Sequence, residues 1–126
     1  MKSIVQADFM ESEFEQYRGA EAMVWRYHAT FRRIAISLSL PDRNEALYLV
    51  ALGCRHIRGP FDWSNADIRI HTDSSPAFYD APCRIVDEAA RFELLCNGWG
   101  LVKALPEDFE TSAENFLGRF PDDDVE

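Results

Sequence analysis

The chain is short of the features that most readily announce a function. No Walker phosphate loop, dinucleotide fingerprint, Gly-x-Ser-x-Gly elbow or His-Glu-x-x-His helix occurs in its 126 residues. Those common signatures of nucleotide, hydrolase and zinc-protease chemistry are therefore excluded. No apolar run approaches the roughly 18 residues that a membrane helix needs. The N-terminus, MKSIVQADFMES, lacks the apolar stretch of a signal peptide. Cysteine is scarce: Cys54, Cys83 and Cys96 make no Cys-x-x-Cys and leave one thiol over in any pairing. That suits a reducing compartment, so a cytoplasmic location is expected, with each thiol a small buried hydrophobe. Basic residues are also short. Thirteen Lys and Arg face 22 Asp and Glu, a formal net charge of -9. This argues against nucleic acid or an anionic membrane as partner. There is no internal repeat, low-complexity segment or domain linker.

What is present is the material of a packed core. Hydrophobic residues make up 47% of the chain and aromatics 13%. Residues 1–126 are expected to form a single domain that folds without disulfides or metal, with a loose acidic tail at 121–126. The acidity sits at the ends. Residues 1–21 hold five acids and two bases, 104–126 hold eight acids and one base, and the stretch between is near neutral and rich in arginine. Two solvated terminal helices and a tail explain this, as does a surface that attracts a basic protein.

Periodicity predicts the elements. Met10, Phe14 and Tyr17 share one face of a helix over 8–18, which Gly19 ends. Residues 22–33 fit helix and strand, and their aromatic and β-branched content favours strand. Residues 34–40 alternate as a strand with one buried face and one open or lightly covered face. The turn at 41–44 leads into Leu47–Gly53, apolar on both faces and hence central. Residues 55–58 extend it to Gly59-Pro60, 61–65 form a loop, and 66–72 return as a strand. Asn97-Gly98 reads as a two-residue hairpin turn that pairs Cys96 with Trp99 and Leu94 with Leu101. Pro106, Phe109, Ala113 and Phe116 mark a second helix. The expected architecture is α+β: an antiparallel sheet of about six or seven strands, drawn out as a meander or folded into a two-layer roll, with a short helix near each terminus.

Candidate chemistry gathers between Ala46 and Thr72. Cys54 and His56 stand two residues apart, and His71 lies on the return strand. Together they offer a thiol and two imidazoles to a zinc ion, or a Cys–His nucleophile pair. The ligand spacing matches no recognised zinc site, and a cysteine inside an apolar strand is poorly exposed for attack. No catalytic residue and no cofactor is therefore assigned. Asp87-Glu88 reads as solvated charge in a hairpin turn. Arg55, Arg58 and Arg69 are better placed to bind, since guanidinium groups suit carboxylate contacts. They are equally able to pair with Asp62 and Asp67. Trp63, with Phe61, Phe78 and Tyr79, offers an aromatic patch to a protein partner. The binding surface expected from sequence is Arg55, Arg58, Trp63, Arg69, His71, Phe78 and Tyr79.

The leading expectation is a non-enzymatic, cytosolic protein-binding module, such as an inhibitor or immunity-like protein whose acidic surface masks a basic partner. The alternatives are a small enzyme or metal-binding domain using Cys54, His56 and His71, and a homo-oligomeric subunit that pairs through a strand edge.

Overall fold

The computed structural model describes residues 3–4, 10–28, 32–72 and 83–107. In chain order these form β1 (Ser3–Ile4), α1 (Met10–Gln16), β2 (Glu21–His28), β3 (Arg33–Ser39), β4 (Ala46–Leu52), β5 (His56–Arg58), β6 (Asp62–Trp63), β7 (Arg69–Thr72), β8 (Cys83–Asp87), β9 (Phe92–Cys96) and β10 (Gly98–Ala104). The expected single sheet does not form. The strands make two antiparallel sheets, one of six in the order β1-β10-β4-β3-β2-β6 and one of four in the order β5-β9-β8-β7. One helix, α1, is assigned among the described residues. Of the second expected helix only Pro106 and Glu107 fall among the described residues, where both are helical; the rest of it lies outside them, as does the tail at 121–126.

The two sheets face each other across one core. Ile34, Ile36, Leu38, Leu47, Leu49 and Leu101 of the larger sheet pack with Ile85, Phe92, Leu94 and Cys96 of the smaller one. Helix α1 lies against this core by the face its spacing predicts. Phe14 meets Trp99 at a ring-centroid distance of 6.3 Å. Tyr17 is buried, and its hydroxyl donates to the Glu45 carbonyl at 3.0 Å.

Two corners, not a hairpin, organise the fold. Residues 97–98 do not join β9 to β10 as partners. β9 pairs with β5 and β8, whereas β10 pairs with β4 and β1. The chain passes from the large sheet to the small one at Gly53-Cys54, and back again at Asn97. Backbone pairing continues through both corners, with Asn97 N–H donating to the Leu52 carbonyl at 2.9 Å and Arg55 N–H to that of Leu95 at 2.8 Å. Residues 46–58 and 93–104 are thus one long antiparallel ribbon, bent in the middle and shared by both sheets. Gly53 permits the bend. Its φ is +63°, and a Cβ there would lie 2.5 Å from Asn97 Nδ2. Gly59 is more constrained, because at φ +131° a Cβ would sit 2.8 Å from the Cα of Phe92.

Smaller expectations change for the same reason. β3 has no open face: every residue from Arg33 to Leu38 is buried. Its outward Ala35 joins a second cluster with Tyr48, Val50 and Val102, against which Trp25 and Leu52 pack. Trp25 reaches that side because β2 carries an irregularity between Val24 and Arg26. Residues 61–65 are not only a loop, since Asp62 and Trp63 pair with Met23 and Ala22.

Candidate functional site

Strand parity decides which side chains of the small sheet meet solvent. Ile70, Ile85 and Leu94 share a register row and point into the core. The rows on either side point outward. One runs His56–Leu95–Arg84–His71 and the other Arg58–Glu93–Val86–Arg69. Leu95 and Val86 are buried and form an apolar floor. The rest is three arginines, two histidines and one glutamate, a cationic face on an acidic chain.

Glu93 lies at the centre of this face. Arg84 Nε donates to it at 2.8 Å and Arg58 Nη2 at 3.3 Å, while His56 Nε2 stands 3.9 Å away. The Arg84 hydrogen bond, helped by the charges of Arg58, Arg84 and His56, holds the Glu93 carboxyl below its ordinary value against the opposing effect of burial. Each guanidinium carries five N–H donors, so one bond to Glu93 leaves donors for an external carboxylate. A concavity of about 500 Å³ opens beside the cluster, lined by Arg58, Arg84, Arg91, Glu88 and Glu93 over Val86 and Phe92. At the far edge Arg69 Nε donates to Asp67 at 3.2 Å. There a second concavity, of about 480 Å³, runs between α1 and β7 over Phe14, Ile68, Ile70 and Trp99.

The expected site residues divide three ways. Arg58, Arg69 and His71 all lie on this face, Arg58 at one edge and the other two at the opposite edge, and Arg55 is exposed just before β5. Trp63 does not join them. It lies in the large sheet, half-buried, with its ring 4.7 Å from that of Phe92 and its Nε1 donating to Asp87 at 2.8 Å. Phe78 and Tyr79 lie outside the described residues. Of the internal pairings open to these arginines, Arg69–Asp67 forms, while Arg58 pairs with Glu93.

Cys54, His56 and His71 do not converge. Cys54 sits buried at the corner, its thiol donating to the Ala51 carbonyl at 3.6 Å. Burial pushes that thiol up to about 12, the opposite of what a nucleophile needs. His56 and His71 occupy the two edge strands, with β9 and β8 between them. Three interstrand spacings put them about 14 Å apart, too far to share a metal. Among the described residues, no group of three His, Cys, Asp or Glu side chains is arranged to hold a metal ion. No helix there is long and apolar enough to cross a membrane.

Sequence reading missed Arg84, Glu93 and Asp87. The signal for Arg84 and Glu93 was present, as each alternates with core residues in its strand. Asp87 gave no signal and is not the solvated charge expected. It is 1% exposed and accepts from Trp63 Nε1 and Asp67 N–H at 2.8 Å each, with Ala90 N–H at 3.4 Å. It ties β6 of the large sheet to β8 of the small one. Comparison with family models, curated proteins and solved structures returned no match. The functional reading therefore rests on the geometry of the chain itself.

Proposed function

We propose that the chain is a non-catalytic, cytosolic protein-binding module, and that the outer face of the four-stranded sheet engages an acidic segment of its partner. The arrangement of Arg58, Arg84 and Arg69 on one solvent-facing surface carries this reading. Charge complementarity selects the partner's chemistry. The concavity beside Glu93 gives a carboxylate side chain somewhere to enter.

The basic partner suggested by the acidic ends has weaker support on the described surface. On α1, Glu13 is bonded to Lys103 at 2.8 Å and Glu15 to Arg18 at 3.0 Å. Ten of the 22 acids lie outside the described residues. The free state of all three cysteines supports the cytosolic placement.

The probe for this reading is a fluorescein-labelled oligoglutamate peptide, titrated by anisotropy at low and physiological salt. The expected result is binding that weakens with salt and is lost in the Arg58→Ala/Arg69→Ala/Arg84→Ala triple variant, whose circular dichroism is unchanged. Absence of binding, or binding that the triple variant retains, overturns the proposal. Sizing at two protein concentrations separates this from self-association.

A further inference from the structure

The fold brings all three cysteines of the chain to one place. Cys83 and Cys96 stand directly opposite each other on β8 and β9. The Cys83 thiol donates to the carbonyl of Asn97, the residue after Cys96, at 3.8 Å, and Cys54, at the neighbouring corner, is close enough for its charge to be felt at Cys96. Nothing in the spacing 54, 83, 96 suggests this meeting. It follows from the bend that carries residue 54 out of the large sheet beside the end of β9. All three sulfurs are buried and unbridged.

We propose that Cys83 and Cys96 are a reversible oxidation site, joined as a cross-strand disulfide by small disulfide oxidants such as oxidised glutathione. Directly opposed residues of antiparallel strands have Cα atoms about 4.5–5.5 Å apart, inside the span a disulfide bridges. Cys83 gives up its proton and attacks one sulfur of the small disulfide. The oxidant's S–S bond breaks, and the departing thiolate is protonated. Cys96 then loses its proton, attacks the Cys83 sulfur of the mixed disulfide and expels the second small thiol. Two protein thiols are oxidised by two electrons, and one small disulfide is reduced to two thiols. Cys83 is the entry point because it opens β8 and keeps 6% exposure, whereas Cys96, at the end of β9, is fully buried. Cys54 is left out, its thiol turned to the Ala51 carbonyl.

The bond would close the β8–β9 hairpin at its open end. It would lie directly beneath Arg84 and Leu95 of the cationic face, without removing any group from that face. Since burial holds all three thiols above their ordinary value, the reaction quickens as pH rises.

The folded protein should be incubated with oxidised glutathione across a pH series, quenched in acid and unfolded, its remaining thiols then alkylated, and its peptides mapped by mass spectrometry. The expected product has lost the mass of two hydrogen atoms, keeps one alkylatable cysteine, Cys54, and contains the Cys83–Cys96 linked peptide. Its Tm rises, and dithiothreitol reverses the change. Cys54→Ser should behave as wild type. Cys83→Ala should stop at three free-thiol equivalents minus the one removed. Three alkylatable thiols in the treated folded wild type, or a bond that includes Cys54, would overturn the proposal whether or not the variants fold.

Discussion

Replacing Asp87 is the sharpest test of how the two sheets are held together. Its carboxylate is almost fully buried and accepts two short hydrogen bonds on Oδ2, from the Trp63 indole and the Asp67 backbone. Both donors lie in the link between the sheets. Asp87→Ala leaves them without an acceptor, and each part-buried orphan costs about 1–2 kcal/mol. Removing a buried carboxylate recovers some desolvation energy. The contact from Ala90 at 3.4 Å is too long to add much. The expected loss is about 3 kcal/mol. Asp87→Asn keeps an acceptor oxygen of the same shape and should cost about 1–1.5 kcal/mol, the difference between a charge-assisted and a neutral bond. Trp63→Phe removes one donor but keeps a ring against Phe92, for about 1 kcal/mol. Urea unfolding followed by tryptophan fluorescence and circular dichroism measures all three. The midpoint should fall while the slope m stays constant. The combined Trp63→Phe/Asp87→Ala variant should lose clearly less than the sum of the single losses, since the orphaned indole is gone. A loss below about 1 kcal/mol for Asp87→Ala, or strict additivity in that cycle, would refute the bridging role.

Gly59→Ala combines an unfavourable φ with a Cβ placed 2.8 Å from backbone, so it should cost about 3 kcal/mol or prevent folding, read by the same unfolding curves. Glu93→Gln should cost only about 0.5–1 kcal/mol, because the arginines around it are well exposed. The pH dependence of that loss has a definite sign. Glu93 is lowered in the folded protein, so its contribution is present above its unfolded value and disappears as pH falls through the folded one. Wild type and variant should therefore differ at neutral pH and converge in acid, below the ordinary carboxylate range. The same substitution removes the internal anion from the cationic face, and should tighten oligoglutamate binding in the anisotropy assay. Cys54, its thiol pushed up to about 12, should resist iodoacetamide at pH 8 in the folded protein and react on unfolding. Rapid alkylation of the native state would revive its reading as a nucleophile.

Local pattern revealed the pieces of this fold better than their assembly. The apolar face of α1, the strand character of 34–40 and the central place of β4 all follow from residues three to four, or two, apart. The Asn97-Gly98 turn failed as a hairpin because a two-residue turn motif records local backbone preference and not which strands pair beyond it. Here Asn97 serves a corner, with Gly53 opposite supplying the room. The second face of β3, expected to be open or lightly covered, is fully buried, because Ala35 and Ser37 are small, and small residues are compatible with water or with a close-packed second layer. Arg58, Arg69 and His71 were readable as candidates because they alternate with apolar residues. Their common surface with Arg84 and Glu93 was not readable, because register between distant strands is set by pairings across the whole chain.

By itself the sequence determined which segments extend, where α1 buries its face, and that arginine crowds the middle of an acidic chain. These properties depend on neighbours a few residues apart. Tertiary structure alone decided that there are two sheets, that three distant thiols meet, that Asp87 is buried and that Trp63 turns inward to it. Each of those depends on the bend at Gly53 and Asn97, where one ribbon changes sheets and brings together side chains that no local spacing relates.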